Sequence, residues 1–403
     1  MRRRVIRVAF ALAAAGAVLT PVRVLAQDPD TPPPGVLVLG PVQLTPSLVV
    51  KEMGVDNNVF NEPVDPKTDF TVTATPRADL LFRMRRLRVS FGVGSDYVYY
   101  HKYTSERGTN GAVATRIELD LGRFRPYLSA QWLNTRTRLN AEVDERARHR
   151  DATYGAGFSL LIASRTHLLG NASRGTIAYE PGEVFRGVDL RQSFDGRRDS
   201  LDGGIGIDLT PLTRFSVLVA REQQRFDLSP DRNSNTWRVS PILNFSPTGL
   251  LTGSASVGYR RFHTLSPTLA DYSGLVSAVS IGATIYGRHQ LQAIVNRDVQ
   301  YSYDENTDYY LGTTIGFTWT TLVVGPVDVR GTATRNLMDY RAATSDAGHD
   351  TMTTYGGGVG DRFTTRARLG INVDWSHRDS DRSADRGYRN HRIFAGLTWG
   401  VSL

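Results

Sequence analysis

The stretch DFTVTATPRADLLFRMRRLRVSFGVGSDYVYY, residues 69–100, contains two long runs in which apolar and polar residues alternate. In the first run the even positions are apolar or proline and the odd positions are mostly polar, and a second alternating run covers residues 87–99. Period-two alternation is typical of a strand with two different faces. Each run is roughly twice as long as an average strand in a globular protein. The stretch therefore predicts a long hairpin that turns at Arg85-Arg86.

The same pattern recurs to the end of the chain, as alternating runs joined by eight short turns and nine longer, charged loops. Seventeen connections predict eighteen strands, with sixteen as the alternative because the alternation weakens around residues 168–179 and 352–360. An even number puts both chain ends on the side of the short turns, as an antiparallel outer-membrane barrel requires. The sequence therefore predicts an all-β, transmembrane, antiparallel up-and-down β-barrel over residues 44–403.

The N-terminal residues have the features of a secretory signal peptide. Arginines at positions 2, 3, 4 and 7 precede an apolar run over residues 8–19, and Val24-Leu25-Ala26 stands before Gln27. An uncleaved anchor would need about twenty apolar residues. We therefore expect Sec-type export, cleavage after residue 26, and a Pro-rich N-terminal segment over residues 27–43.

Charge and cysteine content exclude other classes. Removing the five arginines of residues 1–26 lowers the formal net charge from +8 to +3, and the remaining arginines are interleaved with aspartates. Nucleic-acid binding, which needs clustered basic residues, is therefore not expected. The chain has no cysteine. Closed hydrogen bonding and burial, rather than disulfides, must stabilise the fold after export.

Alternation alone would also fit a soluble β-sandwich. Tight turns at one end of the strands and long loops at the other favour tilted crossings of a bilayer. The five tryptophans fall near strand ends, where amphipathic rings would lie at the headgroup level. The predicted girdle residues are Trp132, Trp237 and Trp375 on the loop side and Trp319 and Trp399 on the turn side. These features predict the outer membrane of a Gram-negative bacterium.

Both ends of the mature sequence resemble known outer-membrane proteins. The ending IFAGLTWGVSL is similar to the C-terminal strand signature that the barrel-assembly machinery recognises, although Leu403 stands where Phe is usual. Residues 46–105 resemble the opening of the β-barrel porins often encoded with exopolysaccharide biosynthesis and export operons. The matching motifs are DNNVF at 56–60 and TPR at 75–77. This resemblance implies an exopolysaccharide conduit without catalytic residues, which acts with periplasmic polysaccharide-export proteins.

An eighteen-strand barrel is wide enough to leave an aqueous channel, so the polar face of each strand becomes the channel lining. Acidic and basic residues are mixed on that face, which predicts cross-strand ion pairs and no ionic preference, whereas a ladder of separate arginines would select an anionic polymer. Pro76 lacks an N–H donor and predicts a local gap in strand pairing. The pore-lining candidates are Arg77, Asp79, Arg83, Arg88, Asp96, Arg116, Glu118, Asp120, Arg125, Asp151, Asp202, Asp208, Arg238, Arg260, Asp298, Asp328, Arg330, Arg366, Arg368 and Asp374.

No catalytic, cofactor or metal site is predicted, since the histidines show no recognisable Ser-His-Asp or His-Asp arrangement. The loop HRDSDRSADRG, residues 377–387, holds three aspartates suited to Ca²⁺, but its interleaved arginines favour self-pairing. Arginines at 146, 148 and 150 belong either to a plain loop or to a contact with lipopolysaccharide phosphates.

The leading functional prediction is an outer-membrane conduit for an exopolysaccharide. A general diffusion porin for small hydrophilic solutes and a non-conducting structural or adhesive barrel are the alternatives. Outer-membrane lipid and lipopolysaccharide are expected partners. Folding back of the loop at residues 180–198 would favour a constriction.

Overall fold

The computed structural model describes residues 36–400, except 247–248, 268, 305–306, 308, 342–345 and 365. The predicted signal peptide, most of the proline-rich run and Leu403 lie outside these residues. Twenty-one strands occur: β1 (Leu37–Leu39), β2 (Val42–Asp56), β3 (Asp69–Met84), β4 (Leu87–Tyr100), β5 (Gly108–Leu119), β6 (Phe124–Arg138), β7 (Arg146–Ala163), β8 (Thr166–Tyr179), β9 (Val184–Phe185), β10 (Val188–Asp189), β11 (Gly196–Thr210), β12 (Thr213–Phe226), β13 (Ser234–Phe245), β14 (Leu251–Thr264), β15 (Tyr272–Ile285), β16 (His289–Tyr301), β17 (Tyr309–Val324), β18 (Val327–Arg341), β19 (Asp346–Thr364), β20 (Ala367–Ser380) and β21 (Tyr388–Trp399).

Eighteen of these strands, β2–β8 and β11–β21, form one antiparallel barrel. Each pairs with its neighbours in chain order, and β2 pairs with both β3 and β21, which closes the sheet. Closure leaves no edge strand, as an apolar surrounding requires. The predicted eighteen-strand barrel is confirmed.

The short strand β1 forms a hairpin with the start of β2, beside the stretch that β21 does not reach. β2 starts at Val42, and β1 lies within residues 27–43, the expected Pro-rich N-terminal segment. The only α-helix of the described part is α1 (Leu190–Phe194), and three 3-10 turns lie at Thr104–Glu106, Pro230–Arg232 and Ala384–Arg386. No helix in the described ranges is long and apolar enough to cross a membrane.

On the loop side the strands continue into charged stretches of the sequence. For example, β6 runs to Arg138 and β7 starts at Arg146, so that only residues 139–145 connect them. Charged residues dominate these strand ends, so the sequence alone places them in loops. The eight short turns all lie at the other end of the barrel.

The barrel places its apolar side chains outside. In β11, Leu201 is 63% exposed and Ile205 50% exposed, whereas Asp202 and Asp208 alternate with them on the inner face. The same phase holds around the barrel, with large apolar side chains exposed on alternate positions of most strands. An apolar outer wall and a polar interior are the arrangement of a membrane barrel.

Mid-strand prolines interrupt pairing on one side only. Between β3 and β4, pairing stops after Ala74 and resumes at Arg77, while Pro76 still faces Leu48 of β2. The predicted gap at Pro76 is confirmed. Pro241 has the same effect between β13 and β14. In both places the proline, which has no N–H to donate, lies where pairing with one neighbouring strand is interrupted.

The seam between the first and last barrel strands contains a bulge centred on Glu52, where the register of β2 shifts against both β21 and β3. Glu52 adopts a φ of 56°, which is uncommon for a residue with a side chain. The bulge keeps the Glu52 carboxylate near Arg392 of β21, at 3.5 Å. Beyond it, β2 and β21 approach so closely at Gly54 that a Cβ there would lie 2.0 Å from the backbone oxygen of Ile393.

Candidate functional site

Eighteen of the twenty predicted lining residues lie within strands, on the face opposite the exposed apolar side chains. Most are in contact with a polar partner on the same face: Arg77 with Asp79 (2.7 Å), Asp96 with Thr75 (2.5 Å), Arg116 with Glu118 (3.5 Å), Arg125 with Asp120 (3.3 Å), Asp151 with His149 (3.6 Å), and Asp202 with Asn171 (3.0 Å). Arg88 lies opposite Arg83 on one side and Glu118 on the other. The contacts fit the interpretation of mutually paired charges.

Two of the candidates do not lie on the barrel wall. Asp120 follows the end of β5 and accepts a hydrogen bond from the Gly122 N–H within the turn (2.9 Å). Arg366 precedes β20 and donates to the backbone oxygen of Gly400. Both residues lie at the rim on the turn side, because the apolar-polar alternation of the sequence continues one residue beyond each strand end.

A charge cluster spans β12 to β16. Arg260 of β14 reaches Asp298 of β16 at 2.6 Å across the intervening strand β15, and it also contacts Glu222 of β12 at 3.3 Å. Arg238 of β13 contacts Glu222 at 3.1 Å. Side chains two strands apart meet readily on the concave side of a curved sheet, which supports an inward orientation for all four.

A second cluster lies at β18 to β21. The fully buried Asp328 accepts from Arg362 (2.8 Å) and Arg368 (2.6 Å), and Arg330 stands next to it on the same face. Asp374 accepts from Arg392 (2.9 Å). Sequence reasoning missed Arg362 and Arg392, although the alternation of their strands, followed to the strand ends, puts both on the inner face.

The sequence also missed a polar chain near the turn-side end of the lumen. Ser159 lies 3.4 Å from His167 Nδ1, and His167 Nε2 lies 2.9 Å from Asp208. This order of groups resembles a catalytic triad, but Arg214 holds Asp208 at 2.6 Å and stands 3.3 Å from the same imidazole nitrogen. Ser159 sits in a regular ladder between β6 and β8, so its backbone amides are used in pairing and supply no oxyanion hole.

At the loop end, four connections fold over the barrel opening. Their described residues are 139–145, 180–195, 302–304 with 307, and 381–387. Three of these connections supply buried apolar residues, which pack with the loop-side ends of β7 and β8. We call this group the mouth cluster: Val143, Ala147, Tyr179, Phe185, Leu190, Phe194 and Tyr303. The Phe185 and Tyr303 rings meet edge to face at 4.7 Å. Residues 180–195 of the predicted loop 180–198 thus fold back over the opening. Such folding back is the condition under which the sequence analysis favours a constriction.

Contacts in this region join opposite sides of the barrel. Arg186, between β8 and β11, contacts Asp385, between β20 and β21, at 2.9 Å. These two hairpins lie about half the circumference apart in the strand order. The Ser193 hydroxyl donates to the backbone oxygen of Tyr303 at 3.2 Å, which ties a third hairpin to the same group. The loops therefore bridge the mouth rather than surround it.

The loops 139–145 and 381–387, together with the loop-side ends of β19 and β20, also hold a largely buried network of charges. We call it the mouth network: Glu142, Asp144, Asp350, Arg378 and Arg386. Arg378 contacts Asp350 at 2.6 Å and Asp144 at 3.0 Å. Arg386 lies 3.4 Å from Asp350 and 3.8 Å from Glu142. Since β20 and the β6–β7 loop are far apart around the barrel, these pairs cross its opening.

Glu142 is, with Asp350, one of the two fully buried acids of the mouth network. It accepts hydrogen bonds from the Ser302 hydroxyl (2.6 Å) and the Tyr303 N–H (3.2 Å). Burial raises the pKa of the Glu142 carboxyl above its ordinary value, and the Ser302 bond and the charge of Arg386 offset part of that rise. Since the pKa of the Glu142 carboxyl is higher in the closed mouth than in water, opening of the loops depends on pH.

The other predictions have simple placements. The five tryptophans are exposed on the outer face, with Trp132, Trp237 and Trp375 in the loop-side halves of their strands and Trp319 and Trp399 near the turns. The three aspartates of loop 377–387 point to separate partners instead of converging: Asp379 to His377, Asp381 to His349, and Asp385 to Arg186. Among the described residues no cluster of three metal ligands occurs.

Comparisons with known proteins agree with this architecture. The family model described as putative beta-barrel porin 2 matches residues 35–400. The fold is similar to a BenF-like porin from Pseudomonas fluorescens Pf-5 (TM-score 0.52, 12% identity, 91% of this chain and 100% of that chain). It is also similar to Pseudomonas aeruginosa OccK2 (OpdF), solved in complex with glucuronate (TM-score 0.52, 12% identity, 89% and 98%).

The chain spans 62% of the length of the FrpB iron transporter from Neisseria meningitidis (F3-3 variant), with 84% of its own residues, at 10% identity and a TM-score of 0.42. No curated protein sequence matches it. A closed barrel with an apolar outer wall, in a porin family, indicates the outer membrane of a Gram-negative bacterium. By the match over residues 35–400, the chain belongs to the putative beta-barrel porin 2 family.

Proposed function

We propose that the protein is a passive diffusion channel for small hydrophilic solutes, with a mouth that the loops hold closed and release for transport. The observation that carries this proposal is the bridging of the barrel opening by the mouth cluster and the mouth network above a charged lumen. A fixed structural barrel has no need of a wet, charge-lined interior.

The lumen supports passage of polar solutes of either charge sign. Arginines and carboxylates alternate around the wall and are largely paired, so that water and hydrogen-bonding solutes meet a polar surface without a strong field of one sign. Paired charges also hold their side chains against the wall, which keeps the path open. We therefore expect weak selectivity between small anions and cations.

The experiment is single-channel recording of the purified protein in planar bilayers, with glucose as a neutral solute and glucuronate as an anionic one. We expect long closed periods, discrete openings, and brief reductions of the open current by both sugars. No current, from either the native protein or a variant with a destabilised mouth, would contradict the proposal and favour a structural or adhesive barrel.

Export of an exopolysaccharide is the second candidate, and the resemblance of residues 46–105 to porins encoded with such operons favours it. A chain of linked sugars would need the four mouth loops to separate together. Deleting the gene in its host and measuring secreted polysaccharide, with uptake of small solutes measured in parallel, distinguishes the two candidates. Loss of secreted polymer with unchanged uptake would replace the diffusion channel by the export conduit.

A further inference from the structure

The outer wall of the barrel carries basic residues at one end only. In the turn-side half of the described strands, the outward positions hold no arginine or lysine. In the loop-side half, outward arginines recur on several strands: Arg174, Arg197, Arg221, Arg225, Arg261, Arg297, Arg335 and Arg389. The arginine-bearing end of the outer wall is the loop side. It lies opposite the turn side, where β2 begins and β21 ends.

Two of these arginines flank a girdle tryptophan. Trp237 of β13 lies directly opposite Arg221 of β12 and directly opposite Arg261 of β14. All three side chains are exposed, and the Arg221 guanidinium lies 5.7 Å from the Trp237 ring centroid. Since neighbouring strands are about 4.8 Å apart, the two arginines start roughly 10 Å from each other.

Arg221 and Arg261 have no acidic partner among the described residues, unlike other arginines nearby. On the same outer face Arg174 contacts Asp199 at 2.6 Å. Arg146 and Arg150, which the sequence suggested as lipid contacts, are within 3.4 Å of Glu106 and Glu180. An exposed tryptophan marks the headgroup level of a bilayer, and two unpaired cations there need an anionic counter-group.

We propose that Arg221, Trp237 and Arg261 form a binding site for the phosphorylated sugar headgroup of lipopolysaccharide in the outer leaflet. Guanidinium groups bind phosphate oxygens in pairs of parallel hydrogen bonds, which makes arginine better suited than lysine to this role. The indole ring packs against the C–H face of the sugar and the start of the acyl chains, between the two phosphates. Tyr259, exposed below Arg261 on the same strand, extends the aromatic surface toward the acyl chains.

The test compares two double variants of the full protein. Arg221→Gln with Arg261→Gln removes the proposed contacts, and Arg86→Gln with Arg123→Gln removes two exposed arginines at the turn side. Binding of diphosphorylated lipid A, dephosphorylated lipid A and inorganic phosphate is measured in detergent by native mass spectrometry and by the shift in thermal unfolding. Far-UV circular dichroism checks that each variant keeps the barrel.

We expect diphosphorylated lipid A to bind the first variant at least about tenfold more weakly than the native protein, and the turn-side variant with unchanged affinity. Arg221→Lys with Arg261→Lys should bind with intermediate affinity, because charge is kept and the paired hydrogen bonds are lost. Equal weakening in both double variants, native-like affinity in the first, or equal binding of the dephosphorylated lipid would overturn the proposal. So would inorganic phosphate that binds as tightly as the lipid, since the site would then hold a free ion.

Discussion

Replacing Glu142 by alanine should release the mouth. The substitution removes the acceptor of the Ser302 and Tyr303 hydrogen bonds and leaves Arg386 with one acid fewer in a buried network. Leaving a buried donor without its acceptor costs about 1–3 kcal/mol, so the two donors together cost roughly 2–6 kcal/mol. This cost does not depend on whether Glu142 is protonated. The lower value corresponds to a change of about thirtyfold in the equilibrium between closed and open mouths.

The assay is the fraction of time that single channels spend open at neutral pH, for the native protein, Glu142→Ala and Asp65→Ala. Asp65 is the matched control, since it is an exposed loop acid that contacts only Lys67 among the described residues. We expect a large rise in open time for Glu142→Ala and native behaviour for Asp65→Ala. A Glu142→Ala channel that opens no more often than the native one, with the β-sheet signal intact, would refute the assignment of Glu142 to closure.

Further predictions concern the mouth, the lumen and the seam. Because burial raises the pKa of Glu142, protonation of Glu142 stabilises the closed mouth at low pH. This stabilisation is lost as pH rises from 4.5, the ordinary pKa of a glutamate, through the raised pKa of Glu142. The open time should therefore fall on acidification in the native channel and not in Glu142→Gln. Arg186→Cys with Asp385→Cys, the only cysteines in the chain, should allow a bifunctional thiol reagent to lock the channel shut, whereas each single variant should stay unlocked. Arg260→Gln leaves two lumenal carboxylates facing one remaining cation, so reversal potentials in a salt gradient should shift toward cation selectivity. Gly54→Ala should impair barrel closure by several kcal/mol because the new methyl group overlaps the backbone of β21, which urea unfolding would measure.

The barrel could be predicted from the sequence because its signals are local. Alternation between Phe70 and Tyr99 is visible within each strand, and a turn follows each pair of strands, so that counting the turns gives the strand number. Pro76 breaks the ladder for a reason that depends only on its missing N–H. The same local pattern assigned the lumenal charges to one face without knowledge of their partners.

The mouth could not be predicted in this way. Glu142 meets Ser302 across 160 residues of sequence, and Arg378 meets Asp144 across 234. In the sequence these residues stand in charged loops, and a charged loop is ordinarily solvated. Only the closed barrel, by bringing distant hairpins to one rim, turns those loop charges into a buried network. The polar chain from Ser159 to Asp208 escaped detection for the same reason, because three different strands supply it.

The composition of the mouth bears on whether it is a permanent plug or a gate. An apolar plug of the same volume would hold the loops more firmly, since buried ion pairs recover little more than the cost of removing their charges from water. Here the mouth cluster supplies apolar burial, while the mouth network returns five charges to water whenever the loops separate. On opening, exposure of the mouth cluster to water is unfavourable, whereas hydration of the mouth network is favourable. Because these two contributions oppose each other, the closed and open states lie closer in free energy than either group alone would allow. A mouth built in this way can be shifted by a proton on Glu142 or by a solute that pairs with Arg378 and Arg386, and for that reason we interpret it as a gate.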